Sequence, residues 1–411
     1  MAACLSGQVV CFRACSARAR KELSVIIKGY PLSTDETGKV QLALRESLDA
    51  IAPSQWDALA GDNPFMTHGF LQAMHKSECA SPKTGWTPLC LALLRDGELA
   101  GAMLLYLKRH SRGEYVFDHA WADAYMRHGL LYYPKLVAAV PFTPVAGPRL
   151  LARSDRDKLL LAHAAIDLAR QNQLSSLHVL FPHEQDLPVF ERAGYMIRSG
   201  VQFHWRNQQY ADMTDFLSSM SKDKRKKILQ DRKRVTQAGI TFEWRRGAEV
   251  TDEDLDFFFA CYVTTYHEHG NAPYLTRDAF ERIRAALPDG VLLIVASQAG
   301  RRVACALDIV HRSTVYGRYW GATEFFSGLH FETCYMQSIE YCIAHGLDCF
   351  EGGAQGEHKI ARGLLPVATY SAHWVGDARY AEAIADFLNR ETQAIQSYRG
   401  MLDDHSPFKQ R

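Results

Sequence analysis

Phe181 closes one apolar run, and Phe350 closes another 169 residues later. Gly194 and Gly363 keep the same offset, and so do His204-Trp205 and His373-Trp374. Three features in one ungapped register imply two copies of a single unit. That duplication constrains the fold more than any other feature, because both copies must be built from the same elements. At 411 residues the chain is long enough for two such domains.

The first copy opens on a strand near 39–47, followed by a short helix in "SQWDALAG" and a second in "NPFMTHGFLQAMHKS". In the latter, Asn63 or Thr67 can cap, and Phe70, Leu71 and Met74 share one face. Two apolar runs around Asp96-Gly97 predict a hairpin. An aromatic insert follows near 119–150. A helix over 155–172, the buried strand "SSLHVLF", a short helix with a Gly stop, and a last strand complete the copy. The second copy replays this order, with a helix in "DLDFFFACYVTTYHEHG", a hairpin at Ala299-Gly300 and a third meander strand. A helix, "LDCFEGG" and "KIARGLLPVATYSAHWV" then follow. An antiparallel meander running into strand–helix–strand predicts a mixed α/β fold. The expected division is an accessory or disordered extension over 1–38, a first unit over 39–206, and a second over 207–411.

Net charge is +1, so no global field draws the chain to nucleic acid or membrane, and DNA is not an expected partner. No apolar run reaches transmembrane length. The first 21 residues are basic but lack the apolar centre of a signal peptide. None of the ten cysteines forms CxxC, and several sit inside apolar runs. They read as buried thiols of a cytoplasmic protein rather than a disulfide frame. "HEHG" at 267–270 lacks metal-ligand spacing, and no metal is expected. The sequence sets no oligomeric state.

"NPFMTHGFLQAMH", "KDKRKKILQDRKRVTQAGITFEW" and "TGWTPLCLAL" resemble the Fem-like predicted N-acyltransferases of peptidoglycan biosynthesis or recognition. So do "VPFTPVAGPRLL" and "EGGAQGEHKIARG", and the resemblance spans the chain from about residue 40. It implies two tandem GNAT-like (acyl-CoA N-acyltransferase-like) units, each a mixed sheet flanked by helices. It also implies transfer of an acyl or aminoacyl group onto an amine. The acceptor would be a small molecule or a peptidoglycan precursor, and aminoacyl-tRNA would be the donor. Acyl-CoA is the alternative donor, although no R/Q-x-x-G-x-G/A cradle precedes either helix where a pyrophosphate would sit. A non-catalytic peptidoglycan-recognition module is a third reading. The family places a functional Lys in an "FK" motif. Here Ile360-Ala361 stands in its place, so Lys359 or Arg362 is the nearest equivalent.

"FEGGAQGEHKIARG" leaves a buried strand at the edge where α/β proteins place ligands. Gly352, Gly353, Gln355 and Gly356 let backbone N–H groups approach an anion or a carbonyl oxygen. N-acylation needs a proton acceptor and an oxyanion partner. Glu357 or His358 can supply the first, and Lys359 or Arg362 the second, with Tyr370 on the following strand. The first copy reads "FPHEQDLPVFERAG" here, without the glycine pair, so the chemistry is expected in the second unit. Arg318 and Trp320 on the meander's third strand are candidate substrate contacts. Trp121, Asp123 and Tyr125 of the insert suit a sugar or peptide surface. From Lys222 to Arg234 there are eight Lys or Arg and two Asp. On a helix, Lys224, Arg225 and Arg232 would form either a solvated face or a polyanion contact for tRNA or a diphosphate.

Overall fold

A computed structural model describes residues 24–25, 40–354, 356–404 and 407–409. The extension expected over 1–38 lies outside these, apart from Ser24–Val25.

The described strands form one sheet. The first half holds β1 (Ser24–Val25), β2 (Val40–Arg45), β3 (Trp86–Arg95), β4 (Glu98–Lys108), β5 (Lys135–Ala138), β6 (Leu151–Ala152), β7 (Ser176–Leu180) and β8 (Met196–Arg206). The second holds β9 (Ile240–Arg246), β10 (Val291–Gln298), β11 (Arg301–His311), β12 (Thr314–Ala322), β13 (Cys349–Ala354) and β14 (Leu365–Val375). β2 to β5 are an antiparallel meander, and β5 runs parallel to β7. β9 to β12 repeat the meander, and β12 runs parallel to β13. This is the mixed α/β architecture of two tandem GNAT-like units. The stretch 119–150, expected as an insert, contains a helix, His119–Arg127, and also β5. β5 takes the sheet position in the first half that β12 takes in the second.

Local chemistry explains the elements. Asp96-Gly97 and Ala299-Gly300 all adopt positive φ, as type I′ hairpin turns require. Thr67 and Ser154 accept N-terminal amide hydrogen bonds from Phe70 and Asp157 and so cap their helices. Gly321 of β12 faces the helix Asp252–Glu268 so closely that a Cβ would lie 2.0 Å from the Cys261 carbonyl oxygen.

The repeats exchange their last strands. β14 lies between β7 and β8, and β8 lies between β14 and β13. Trp374 of the second copy therefore packs in the first half's core with Leu177 and Val179. Trp205 of the first copy packs in the second half's core with Phe350 and Phe216. The two exchanged strands carry the same His-Trp pair, His204-Trp205 in β8 and His373-Trp374 in β14.

Beneath β4 and β5 lies a buried ionic network. Lys135 donates to Glu114 at 2.8 Å and also to Asp118. Lys108 sits 3.7 Å from Glu114 and 3.5 Å over the Trp86 ring. Lys135→Met would strip both carboxylates of their shared cation. It should cost about 3–5 kcal/mol, read as a lower urea midpoint.

Candidate active site

β12 and β13 pair only from Thr314–Tyr316 to Cys349–Glu351, and beyond that they diverge. A bulge primes the divergence. β11 and β12 slip register between Leu307 and Asp308, which leaves Arg318 as an extra residue. The strands open on a cleft of about 370 Å³. β12 contributes Arg318, Tyr319 and Trp320, and β13 contributes Gly352 and Gly353. The turn Glu357–Arg362 contributes His358 and Lys359. His330, Cys334 and Tyr335 come from the helical segment after β12, and Tyr115 and Pro144 reach in from the first half.

Asp308 lines this cleft from β11. Its carboxylate accepts a hydrogen bond from Ser338 Oγ at 2.7 Å. Burial pushes its pKa up to about 7, against the opposing pull of the Ser338 hydroxyl, the Arg318 amide and the Arg318 charge. Lys359 is also buried, and its Nζ donates to the Gly353 carbonyl oxygen at 3.0 Å. Burial pushes its pKa down to about 8. One cleft thus holds a carboxylate that ionises near neutrality and an ammonium that stays charged there. Burial also pushes His330 down to about 4 and raises the Cys334 thiol well above its usual range, which favours the protonated thiol. Tyr335 meets His358 Nε2 at 3.3 Å. Gly353 and Gly356 hold the loop at φ of 78° and 109°, a region that disfavours side chains.

A family model for peptidoglycan biosynthesis/recognition matches residues 47–410. The chain belongs to this FemAB-like family. Among solved structures, FemX is similar at a TM-score of 0.50 and 14% identity, over 82% of this chain and 98% of FemX. L-PGS from Bacillus licheniformis is similar at 0.50 and 13%, over 81% of this chain and 95% of that one. At these identities the likeness concerns the fold. No curated protein matches the chain.

In this FemAB-like chain, six of the expected residues meet in the cleft: Arg318, Trp320, Gly352, Gly353, His358 and Lys359. Gly356 caps the turn, Glu357 is exposed on it, and Gln355 lies outside the described residues. Arg362 does not line the cleft. Its guanidinium stacks 3.7 Å over Phe331 and reaches Asp231 at 3.6 Å, bracing the turn against the basic helix. Tyr370 sits in a second cleft of about 230 Å³ and donates to Glu184 at 3.2 Å. Trp121 and Tyr125 are core residues rather than a ligand surface. Trp121 packs edge-on against His373 and Tyr125 packs on Tyr380, while Asp123 alone is exposed. On the basic helix Lys222–Gln237, Lys224 is exposed and Arg225 half-buried. Arg232 is instead tied to Glu332 at 3.0 Å and to Glu340 at 2.5 Å. Asp308, Tyr115, His330 and Tyr335 were not anticipated. A lone carboxylate inside the apolar run "ACALDIV" was the available signal for Asp308.

Next to the cleft, on β8 and β13, a second polar group gathers. His204 Nε2 lies 3.8 Å from Glu351 Oε2 and 3.5 Å from Gln202 Oε1. Burial holds His204 down to about 4 and pushes Glu351 up to about 7.

Proposed function

We propose that this chain is an N-acyltransferase that moves an acyl or aminoacyl group onto an amine acceptor in the cleft between β12 and β13. The reading rests on one observation above all: Asp308, with its carboxyl near neutrality, and buried Lys359 line the same opening between splayed strands. Asp308 takes a proton from the acceptor ammonium, and the freed amine attacks the donor carbonyl. Lys359 stabilises the tetrahedral oxyanion; as the ester or thioester bond breaks, the adduct nitrogen loses its extra proton to solvent and protonated Asp308 returns its proton to the departing oxygen or sulfur. The family points to a peptidoglycan-precursor type of acceptor.

Aminoacyl-tRNA is the favoured donor. The connection Thr323–Gly328, where a GNAT enzyme would hold the CoA pyrophosphate, carries no basic residue. Its Glu324 is ion-paired to Arg301. The basic helix, by contrast, exposes Lys222, Lys224, Lys226, Lys227 and Lys233. Calorimetric titration with charged tRNA and with acyl-CoA should show binding of the tRNA, with log K falling linearly against log salt. Lys224→Ala with Arg225→Ala should make that slope about 1 to 2 shallower. Tight CoA binding without a tRNA response would transfer the reading to the CoA-dependent alternative. Tight precursor binding with no turnover from either donor would favour a recognition module.

A further inference from the structure

We propose that His204, Cys349 and Glu351, with the side-chain oxygen of Gln202, form a site for one divalent ion of the zinc class, which clips β8 to β13 beside the cleft. The imidazole nitrogen, the sulfur and a carboxylate oxygen all lie within 4.8 Å of one another. The 3.8 Å between His204 Nε2 and Glu351 Oε2 is too long for a hydrogen bond. A tetrahedral ion with Zn–N and Zn–O bonds of about 2.0–2.2 Å sets two such atoms roughly 3.3–3.5 Å apart, so this pair need close by only a few tenths of an ångström to hold one ion. Gln202 is oriented for the same purpose. Its Nε2 donates to the Pro144 carbonyl oxygen at 2.7 Å, which turns Oε1 toward His204.

The Glu351 side chain keeps 20% of its surface exposed, which leaves an ion a path to the cluster from solvent. Cys349 and Glu351 lie in the paired part of the β8–β13 ladder, opposite Arg206 and His204, and the register shifts just beyond Glu351. A metal would add a side-chain cross-link at the point where regular pairing ends. It would join the two repeats, since His204 and Gln202 belong to the first and Cys349 and Glu351 to the second.

The donor set selects the ion. Imidazole with thiolate and carboxylate suits Zn²⁺ and excludes Mg²⁺ and Ca²⁺, which need all-oxygen shells. On binding, the Cys349 thiol releases its proton to solvent, and thiolate plus carboxylate then balance the two positive charges. No sequence spacing could reveal such a site, because its ligands come from strands of different repeats.

The test uses full-length protein stripped with a chelator, then titrated with Zn²⁺ alone. One equivalent should bind and raise the melting temperature. Co²⁺ in its place should give a thiolate-to-metal charge-transfer band in the near ultraviolet. Cys349→Ser should abolish that band, and Cys90→Ala should keep it. Glu351→Gln, which preserves shape if the serine variant fails to fold, should weaken Zn²⁺ by at least the roughly 100-fold that outer partners alone can be worth. No stoichiometric binding, or unchanged affinity in the Cys349 and Glu351 variants, would overturn the proposal.

Discussion

Asp308→Asn should lower kcat/KM by about 10²–10⁴ with the best donor and acceptor pair, the range for a positioned general base. The asparagine still accepts from Ser338 but takes no proton. In the parent, activity should rise as pH passes through about 7, where Asp308 ionises. The variant should lack that acid limb, and an unchanged limb would remove Asp308 from the base role. Stability carries an independent signature. The folded pKa lies above the ordinary aspartate value, so this carboxyl's contribution is complete below about pH 4. It is lost as pH rises through about 7. A shift of this size on a fully buried group corresponds to something on the order of 4 kcal/mol. Urea midpoints of the parent should therefore fall across that window more steeply than those of the variant.

Lys359→Met should cost about 10²–10³ in kcat, the price of losing one oxyanion donor. The loss should appear in kcat more than in KM, because the interaction is made in the transition state. Its pH signature is the mirror of the first. Lys359 loses its charge above about 8, so the parent should show an alkaline limb there that the methionine variant lacks. Together the two residues predict a bell-shaped profile with its maximum between about 7 and 8. If Lys359→Met depressed KM and kcat alike while leaving both limbs in place, its role would be packing of the turn.

Much of the fold was legible in the sequence, since it follows from neighbours along the chain. Asp96-Gly97 and Ala299-Gly300 mark hairpins by their turn chemistry, and Phe70, Leu71 and Met74 share a buried face by helical spacing. Part of the site was legible for the same reason. A glycine-rich exit from a buried strand marks where Lys359 and His358 enter the cleft. The aromatic insert misled because residue type does not report burial: Trp121 and Tyr125 suit a ligand surface and a core equally well. Arg362 and Arg232 likewise read as free cations, yet both are tied to carboxylates that arrive from distant segments.

By itself, then, the sequence determined a duplicated unit, the order of elements in each copy, the glycine loop in the second, and the family. All of these are properties of residues close together or of a fixed internal offset. Only the tertiary structure decided that β8 and β14 trade places, because strand neighbours are set by long-range pairing and not by order along the chain. It also decided that Asp308 faces a cleft and that His204, Cys349 and Glu351 converge. Desolvation and long-range contact set the chemistry of these groups, and neither is encoded in the spacing of letters.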